Sequence, residues 1–341
     1  MARLAGVSQS AVSRAFSPGA SVSPATREKV MAAATQLGYR PNQIARSLIT
    51  RRSNIIGVAM PNTGNPFYRN ALNALSVEFA RIGYRILLFT SDPVAGSDPI
   101  LAEVLRYQVD AVVLISTSLS SHFAEECMQI GVPVVLLNRR TDSAAVSSVT
   151  GDNTRGARAI AAFLLAGGHR RFAYVAGLET SSTNRDREAA FFAALAQAGV
   201  DGVERQSGHY TAEGAAQAAR VLLARRSRPD AIFCANDDMA FAVMNVARAE
   251  YGLDIGKTLS IVGFDDTDLA AWPMLDLTSY AQPVQPMVAH VLESIVAQLE
   301  GGVQATHHVV RGELIVRRSA RRPSSGVERL DDGREIWRAS D

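Results

Sequence analysis

The sequence has little cysteine and no long hydrophobic run. Its 341 residues include only Cys127 and Cys234, which are far apart and each inside an apolar stretch. This pattern predicts reduced core thiols in a reducing compartment. No apolar signal segment opens the chain, and no run reaches the roughly 18 to 20 apolar residues that a membrane-spanning helix needs. We therefore expect a soluble cytoplasmic protein.

The motifs of common enzyme classes are also missing. The first predicted strand offers only Gly57 inside it and Gly64 after it, which excludes the Gly-x-Gly-x-x-Gly turn of dinucleotide enzymes. The chain has no Gly-x-x-x-x-Gly-Lys, Gly-x-Ser-x-Gly or His-Glu-x-x-His motif. The adjacent His307 and His308 would point to opposite faces of a predicted strand, so they do not predict a metal site. We expect neither catalysis nor a cofactor.

Acidic residues are scarce at the start of the chain. The first 53 residues hold eight Lys and Arg against the single acid Glu28, which gives this segment a formal charge near +7. The remaining residues hold 27 basic and 32 acidic side chains, a charge near −5. A compact, strongly basic segment on an acidic body predicts a nucleic-acid-binding head.

The first part of the head predicts a helix that begins at Gln9. Ser8 stands where an N-cap residue accepts a hydrogen bond from a backbone N–H group. The inward face of this helix is apolar: Val12, Ala15 and Phe16. The outward face carries hydrogen-bonding side chains: Gln9, Ser10, Ser13 and Arg14. Such side chains at the start of a helix can reach base edges in the major groove, although composition alone fits a solvated face equally well.

The second part of the head predicts a packing helix and then a short one. Ser23 is an N-cap and Pro24 suits the first helical position. An apolar stripe follows and ends at Gly38: Val30, Ala33, Ala34 and Leu37. Residues 42–50 predict a helix of about two turns, which is too short to be stable alone. We expect it to fold only against the DNA minor groove or against its symmetry mate.

Two runs of the head, LAGVSQSAVSRAF and VSPATREKVMAAATQLGYRPNQIARSL, resemble the DNA-binding head and hinge of the lac-repressor (LacI) family of transcription regulators. The resemblance covers almost the entire chain. It implies that the helix beginning at Gln9 is the recognition helix of a helix-turn-helix. It also implies a hinge helix that pairs with its mate on DNA, where Leu48 wedges into a central base step. The DNA-binding residues that it implies are Ser8, Gln9, Ser10, Ser13, Arg14, Asn42, Ala45, Arg46 and Leu48.

The head departs from the family at its first helix. Family members carry this helix upstream of the LAGVS run, and only Met1 to Ala5 correspond to it. A helix-turn-helix packs that helix behind the recognition helix. We expect a start codon assigned too late rather than a crippled head, which mass spectrometry of the native N-terminus would test.

After Asn54 the chain alternates apolar strands with helical patterns. The predicted strands are IIGVAM, YRILLFT, DAVVLIS, VPVVLLN, FAYVAG, DAIFCAN and LSIVGF. Helices are predicted near Asn65–Ile82 and near Pro99–Tyr107. Continuous apolar strands between helices are typical of parallel sheets covered on both faces. We therefore predict an α/β fold with two similar parallel-sheet lobes.

The arginine-rich end of the chain has no leucine heptad, so a mobile tail is expected there rather than a coiled coil. The predicted domains are a helix-turn-helix head over 1–41, a hinge over 42–53, a ligand sensor over 54–319 and a tail over 320–341. Within the sensor, lobe 1 is predicted over 54–149 and 282–306, and lobe 2 over 150–281 and 307–319.

The family resemblance implies a periplasmic-binding-protein-like sensor that closes over a small effector at the carboxyl ends of the strands. The effector-binding residues that we predict are Phe67, Tyr68, Arg187, Tyr210, Asn236, Asp237 and Asp265. This set suits a polyhydroxylated effector such as a sugar or a sugar derivative. Helix capping is the alternative role for Asn236 and Asp265, and the favoured one for Asp152. Trp272 is expected to pack near the cleft rim.

The sequence thus predicts a ligand-responsive transcription regulator. We expect a homodimeric repressor that binds double-stranded, roughly palindromic operator DNA and no membrane. A solute-binding sensor with a non-functional head remains the first alternative, and an enzyme on the same two lobes is the second.

Overall fold

The computed structural model describes residues 1–16, 19–40, 52–62, 64–91, 103–104, 106–116, 126–127, 129–141, 145–302 and 304–339. Two compact units divide the chain, Met1–Asn54 and Ile55–Asp341. Four predicted DNA-binding residues of the hinge lie outside the described residues: Asn42, Ala45, Arg46 and Leu48. Most of the helix predicted near 99–107 lies outside them too. No helix in the described ranges is long and apolar enough to cross a membrane.

The described residues of the head form three helices: α1 (Ala2–Ala5), α2 (Gln9–Ala15) and α3 (Pro24–Gln36). Both predicted helix starts are confirmed. The Ser8 hydroxyl accepts a hydrogen bond from the Ala11 N–H at 3.2 Å, and the Ser23 hydroxyl accepts one from the Thr26 N–H at 3.2 Å. These caps satisfy backbone donors that have no partner inside their helices, and so they set where α2 and α3 begin.

A small apolar core holds the head together, with Val30 fully buried against Ala15 and Ala33. Arg27 adds a polar tie, because its Nη1 donates to the Ala15 carbonyl at 2.5 Å. The prediction that Leu37 belongs to the buried stripe is wrong, since this side chain is 54% exposed. Leu37 lines an open groove of about 620 Å³ together with Met1 and Ala2, at the start of the one-turn helix α1.

Two sheets form the body. The strands of the first sheet are β1 (Ile55–Pro61), β2 (Arg85–Ser91), β3 (Ala111–Ile115), β4 (Val134–Leu137), β5 (Ser147–Gly151) and β11 (His307–Val310). The strands of the second are β6 (Phe172–Ala176), β7 (Glu204–Ser207), β8 (Ala231–Cys234), β9 (Ser260–Asp265), β10 (Thr278–Ala281), β12 (Leu314–Ile315), β13 (Val327–Arg329) and β14 (Glu335–Trp337). Lobe 1 is built on the first sheet and lobe 2 on the second.

The strand order is β11-β5-β4-β3-β1-β2 in the first sheet and β13-β14-β12-β10-β9-β8-β6-β7 in the second. Every pairing in the first sheet is parallel, and so is every pairing from β7 to β10 in the second. The second sheet then adds three antiparallel strands, β12, β14 and β13. The predicted α/β class with two parallel-sheet lobes is confirmed.

Helices follow the parallel strands, as βαβ connections require. They are α4 (Pro66–Arg81), α5 (Asn153–Ala166), α6 (Ser182–Gln197), α7 (Ala212–Leu223), α8 (Asp237–Ala249) and α9 (Val284–Leu299), with a short 3₁₀ helix at Asp268–Ala271. The helix predicted near Asn65–Ile82 is confirmed as α4, which the Asn65 side chain caps by accepting from the Phe67 N–H at 2.8 Å.

The chain passes between the lobes three times, after β5, after β10 and between β11 and β12. These crossings lie side by side. The Asp152 N–H donates to the Val310 carbonyl at 2.9 Å, and the Ala281 N–H donates to the Glu313 carbonyl at 2.8 Å. The polar side chains of the crossings thus lie where the two lobes are connected, at the bottom of the space between them.

Part of the predicted lobe boundary is wrong. Residues 307–310 form β11, which pairs in parallel with β5 in lobe 1 and not with lobe 2. The reason is that β5, whose sequence SSVTG is mostly polar, is itself a buried strand of lobe 1 with an edge for β11 to pair with. Only from β12 onward does the final segment belong to lobe 2.

The prediction of a mobile tail over 320–341 is also wrong. Strands β13 and β14 form a hairpin whose second strand pairs with β12 and extends the lobe 2 sheet. Ile336 is fully buried and Trp337 is 6% exposed. The Trp337 ring meets the Phe163 ring edge-on at 5.8 Å, and its Nε1 donates to the Ser325 carbonyl at 3.1 Å. Two apolar side chains within Glu335–Trp337 are therefore enough to dock this polar segment.

We expect Trp337→Ala to lower the free energy of unfolding by about 3–5 kcal/mol, because it removes a large buried side chain from the lobe 2 core. Urea denaturation followed by circular dichroism measures this change. The control is Trp272→Ala, which removes a ring that is 58% exposed and should change stability by less than about 0.5 kcal/mol. Equal stabilities of the two variants would contradict the docked hairpin.

Candidate functional site

Ten side chains that follow the carboxyl ends of strands converge on one cleft between the lobes. Lobe 1 contributes Asn65, Tyr68, Ser116, Asn138 and Arg139, and lobe 2 contributes Thr183, Arg187, Tyr210, Asn236 and Asp265. Ligands of open parallel sheets bind at this edge. The free volume of the cleft is about 10 Å³, so the two walls nearly touch.

Direct contacts across the rim hold the lobes together. The Arg140 guanidinium lies 2.5 Å from the Asp186 carboxylate, and the Arg140 N–H donates to the Ser182 hydroxyl at 3.2 Å. Arg139 Nη1 donates to the Thr180 carbonyl at 3.4 Å. Each contact joins the end of β4 in lobe 1 to the loop or the first turns of α6 in lobe 2. Opening the cleft would break all three.

Arg187 is the most enclosed charged group of the cleft, with 2% exposure. Its Nε donates to Asn153 Oδ1 at 2.8 Å, and its Nη1 donates to the Ala235 carbonyl. The guanidinium carbon lies 3.6 Å from the centroid of the Phe264 ring. With two nitrogens occupied, Nη2 faces the cleft and lies 3.9 Å from Asp265 Oδ1. The side chain therefore presents one face of its fork to a ligand.

Asp265 faces Arg187 from the last position of β9. Its Oδ1 accepts a hydrogen bond from Gln282 Nε2 at 2.8 Å, and its carboxylate also accepts one from the Asn65 side chain of lobe 1. Burial raises the pKa of Asp265, while the Arg187 charge opposes that rise. The carboxylate thus joins the second crossing, where Gln282 lies, to both walls of the cleft.

Two tyrosines line the cleft. The Tyr210 hydroxyl lies 3.3 Å from the Thr183 hydroxyl, and its ring packs against the backbone of Gly177. A Cβ atom at Gly177 would lie 2.1 Å from Tyr210 Cζ, so only glycine allows this position of the ring. Burial raises the pKa of Tyr68 to about 12, and Ser116 hydrogen-bonds to it. The Tyr68 phenol is therefore a neutral hydrogen-bonding group.

Strained backbone concentrates at the cleft. Four of its non-glycine residues have positive φ angles: Ser116 (51°), Asn138 (60°), Tyr210 (57°) and Asp265 (126°). Such conformations cost free energy, of order 1–3 kcal/mol each, and in proteins they cluster where a side chain must be aimed at a ligand. Ser116 and Asn138 also bond to each other, with Asn138 Nδ2 donating to Ser116 Oγ at 3.0 Å.

Of the seven predicted effector-binding residues, five lie together at the cleft: Tyr68, Arg187, Tyr210, Asn236 and Asp265. Asn236 also caps α8 by accepting from the Met239 N–H at 3.0 Å, which confirms its alternative role. Its contact with an effector stays a prediction. Asp152 caps α5 by accepting from the Arg155 N–H at 2.9 Å, as expected. Trp272 does not pack at the rim, because its side chain is largely exposed.

Phe67 and Asp237 are structural rather than cleft residues, which corrects two of the predictions. Phe67 is 3% exposed and packs in the lobe 1 core. Asp237 is fully buried, where Oδ1 accepts from the Ser279 hydroxyl at 2.6 Å and Oδ2 accepts from the Thr267 N–H at 2.7 Å. Gly263 leaves the space for it, since a Cβ there would lie 2.3 Å from Asp237 Oδ1. Asp237 therefore fastens β10 and the Thr267 turn to α8.

Sequence reasoning did not assign five cleft residues as contacts: Asn65, Ser116, Asn138, Arg139 and Thr183. Asn65 was predicted only as the start of the helix near Asn65–Ile82. The others directly follow β3 and β4 or lie in the first turn of α6. Their position after strands was the available signal, because the predicted strands DAVVLIS and VPVVLLN end at Ser116 and Asn138.

The candidate DNA-reading face lies on α2. Five side chains along it are exposed, from the cap to the last turn: Ser8, Gln9, Ser10, Ser13 and Arg14. The opposite side is buried through Ala15, and Val12 and Phe16 pack against the same core. The Ser8 hydroxyl is already engaged as the cap and lies 2.9 Å from the Ser10 hydroxyl. The helix thus turns a polar face outward while α3 fixes its other side.

Comparison with known proteins agrees with both regions. Residues 1–42 match the bacterial regulatory proteins of the lacI family, and residues 161–320 match a periplasmic binding protein-like domain. Catabolite control protein A of Priestia megaterium is 32% identical over 288 residues, which covers 83% of this chain and 86% of that protein. The chain belongs to the lacI family. Within that family it is a DNA-binding transcriptional regulator.

Solved lacI-family structures extend the likeness over nearly the full length. The lac repressor dimer bound to operator and the anti-inducer ONPF has a TM-score of 0.85 at 25% identity, over 94% of this chain and 97% of that one. The complex of the transcriptional regulator CelR with cellobiose has a TM-score of 0.72 at 29% identity, over 94% and 98%. Both structures span the head and the sensor.

We expect Asp237→Asn to lower the free energy of unfolding by about 1–3 kcal/mol, because an amide nitrogen would face a donor that the carboxylate now satisfies. Urea denaturation measures the change. Asp186→Asn, on the rim, is the control and should change stability by less than about 1 kcal/mol. An Asp237→Asn protein as stable as the wild type would contradict the structural role.

The wild type and Asp237→Asn should also differ in how their stability depends on pH. Burial and the nearby Asp265 raise the pKa of Asp237. A carboxyl that binds protons more strongly in the folded state contributes less to stability as the pH rises from its unfolded value near 4 through its folded value. The stability advantage of the wild type over Asp237→Asn should therefore shrink between about pH 4 and pH 7. If the advantage grew over this range, the pKa of Asp237 would be lowered by folding rather than raised.

Proposed function

We propose that the protein is a homodimeric repressor whose affinity for operator DNA is controlled by a small polyhydroxylated effector bound between the sensor lobes. One observation carries the proposal: a capped helix with an exposed polar face and a buried polar cleft between two lobes occur in one chain. The relatives support it, because a lac repressor dimer binds operator and an anti-inducer, and CelR binds cellobiose.

On DNA, we propose that Gln9, Ser10 and Arg14 of each head contact base edges in the major groove. Two heads on a dimer would then read two half-sites of a roughly palindromic operator. The formal charge of the first 53 residues, near +7, favours the phosphate backbone and so supplies affinity that does not depend on sequence. The polar face of α2 would supply the sequence preference.

In the sensor, the cleft groups suit hydroxyl ligands. A planar guanidinium and a carboxylate can bind neighbouring hydroxyls, one as donor and the other as acceptor. Arg187 and Asp265 provide such a pair, while Tyr68 and Tyr210 add rings and further hydroxyl groups. The free volume of about 10 Å³ implies that an effector enters when the lobes are apart and is then enclosed.

We propose that lobe closure is the switch. Closure would change how the two hinge segments of a dimer meet on DNA, and so change operator affinity. A coupling free energy of about 1–3 kcal/mol corresponds to roughly a 5- to 150-fold change in affinity. The rim contacts of Arg140 with Asp186 and Ser182 favour the closed form and would therefore strengthen effector binding.

We propose binding rather than catalysis for the cleft. Among the described residues that line it there is no histidine, cysteine or lysine, which leaves no general base close to neutral pH other than the engaged Asp265. The relatives are transcriptional regulators, which supports the same view. Because the DNA target of a bacterial regulator lies in the cytoplasm, we propose that location.

We expect Arg14→Ala to weaken operator binding by about tenfold, because a charge-assisted contact to DNA contributes about 1–3 kcal/mol. The operator is first selected from a random duplex pool with the full-length dimer, and affinity is then measured by fluorescence anisotropy at several salt concentrations. Arg226→Ala removes an equally exposed charge from lobe 2 and serves as the control. Equal losses for the two variants would refute the role of Arg14.

The salt series tests the head as a whole. Affinity should fall steeply with salt, with a log–log slope near −0.9 for each phosphate that is neutralised. A sensor with a non-functional head would bind no duplex in any salt, and that result would overturn the proposed function.

The rim pair provides a test of closure. An effector is first found by a thermal-shift screen of sugars and sugar acids. Arg140→Gln should then weaken effector binding by up to about fivefold, the range of an exposed ion pair, and Asp186→Asn in that background should add no further loss. Calorimetric titration measures both steps. Arg225→Gln, which breaks the ion pair with Glu204 inside lobe 2, is the control. If the Arg140 and Asp186 substitutions weakened effector binding additively, the ion pair between them would not be what stabilises the closed form.

A further inference from the structure

Among the described residues, Arg139 differs from Arg187 and Arg140 in lacking a counter-ion. It is the second residue after β4 and is 9% exposed. In the described part of the chain, no carboxylate lies within ion-pair distance of it. Its Nη1 reaches only the Thr180 carbonyl at 3.4 Å, and its buried Nε has no hydrogen-bond partner. A buried guanidinium without a counter-ion is unfavourable unless a bound group compensates it.

Two neighbouring arginines, unlike Arg139, each face a carboxylate. Arg187 faces Asp265 and lies over the Phe264 ring. Arg140, the next residue along the chain, pairs with Asp186. The cleft lining thus holds two guanidinium groups and one carboxylate, and that carboxylate already accepts hydrogen bonds from Gln282 and Asn65. One positive charge in the wall is left over.

Asn138 adds an independent observation beside Arg139. Its side chain is 7% exposed, its Nδ2 donates to Ser116, and its Oδ1 is buried without a partner. An unpaired acceptor calls for a donor, which a carboxylate cannot provide and a hydroxyl group can. Ser116 and Asn138 both have positive φ angles, 51° and 60°.

We propose that the effector is a sugar acid whose carboxylate pairs with Arg139 and whose adjacent hydroxyl donates to Asn138 Oδ1. The remaining hydroxyls then face Arg187 and Asp265. A single carboxylate balances the one uncompensated charge, whereas a phosphate ester would bring close to two negative charges next to Asp265. This inference rests on the proposed effector cleft and names the chemical class that it takes.

The test compares matched ligands on the full-length dimer. A panel of hexuronates and aldonates is titrated by calorimetry beside the corresponding neutral hexoses and hexuronamides, which keep the ring or chain but lose the charge. At least one acid should bind at least tenfold more tightly than its amide and its hexose. The same acid, and not the neutral analogues, should change the affinity for the selected operator.

Variants then assign the preference to Arg139. Arg139→Gln should weaken binding of the acid at least tenfold more than binding of the neutral hexose, which is affected only through the lost contact with Thr180. Arg139→Lys, which keeps the charge, should retain most of the preference. Arg140→Gln is the matched control, because it removes the adjacent arginine but should preserve the ratio between acid and amide. Circular dichroism of each variant establishes that it is folded.

Three results would overturn the inference. They are a neutral sugar that binds as tightly as its acid, a sugar phosphate that binds more tightly than the acid, and an equal loss of acid and neutral sugar in Arg139→Gln. In each case operator binding that still responds to the sugar leaves the proposed function intact. A panel without any binder, on a protein that binds operator, would instead contradict the effector class of the proposed function and this inference with it.

Discussion

Lobe 2 is organised around one buried guanidinium group, that of Arg187. Arg187 projects from α6 and draws together the first residue of α5, the end of β8 and the end of β9, while the Phe264 ring supports its flat face. Because leaving such a charge without its partners is strongly unfavourable, these chain ends are fixed relative to one another. The cleft wall is therefore already ordered before any ligand arrives.

The second sheet shows how one family scaffold is extended at its edge. The match to the periplasmic binding protein-like domain ends at residue 320, and the β13–β14 hairpin follows directly. It gives β12 a second partner and covers its edge with a strand that carries a buried tryptophan. Exposed strand edges invite pairing between molecules, so the hairpin moves the edge of the sheet to a short, charged strand, Val327–Arg329.

Continuous apolar runs and caps predicted the fold well, because each is decided locally. Ser8, Ser23 and Asn65 set helix starts through bonds within three residues. The strands β5, β7 and β10 were not predicted, because their sequences SSVTG, ERQS and TSYA contain too few apolar residues. Their burial or pairing depends on neighbouring strands. The same limit applies to the cleft. Neither the engagement of Asp237 by Ser279 nor the isolation of Arg139 from acids can be read from spacing, because both depend on which chain ends meet in space.

The three crossings between the lobes lie side by side, and this arrangement restricts the motion that the sensor can make. Rotation about the line through them alters a few backbone torsions, whereas sliding or twisting would strain all three and break the bonds between them, such as Asp152 to Val310 and Ala281 to Glu313. We therefore expect the lobes to move by rotation about a single hinge axis. Ligands of different chemistry would then change the closure angle by different amounts but not the direction of the rotation.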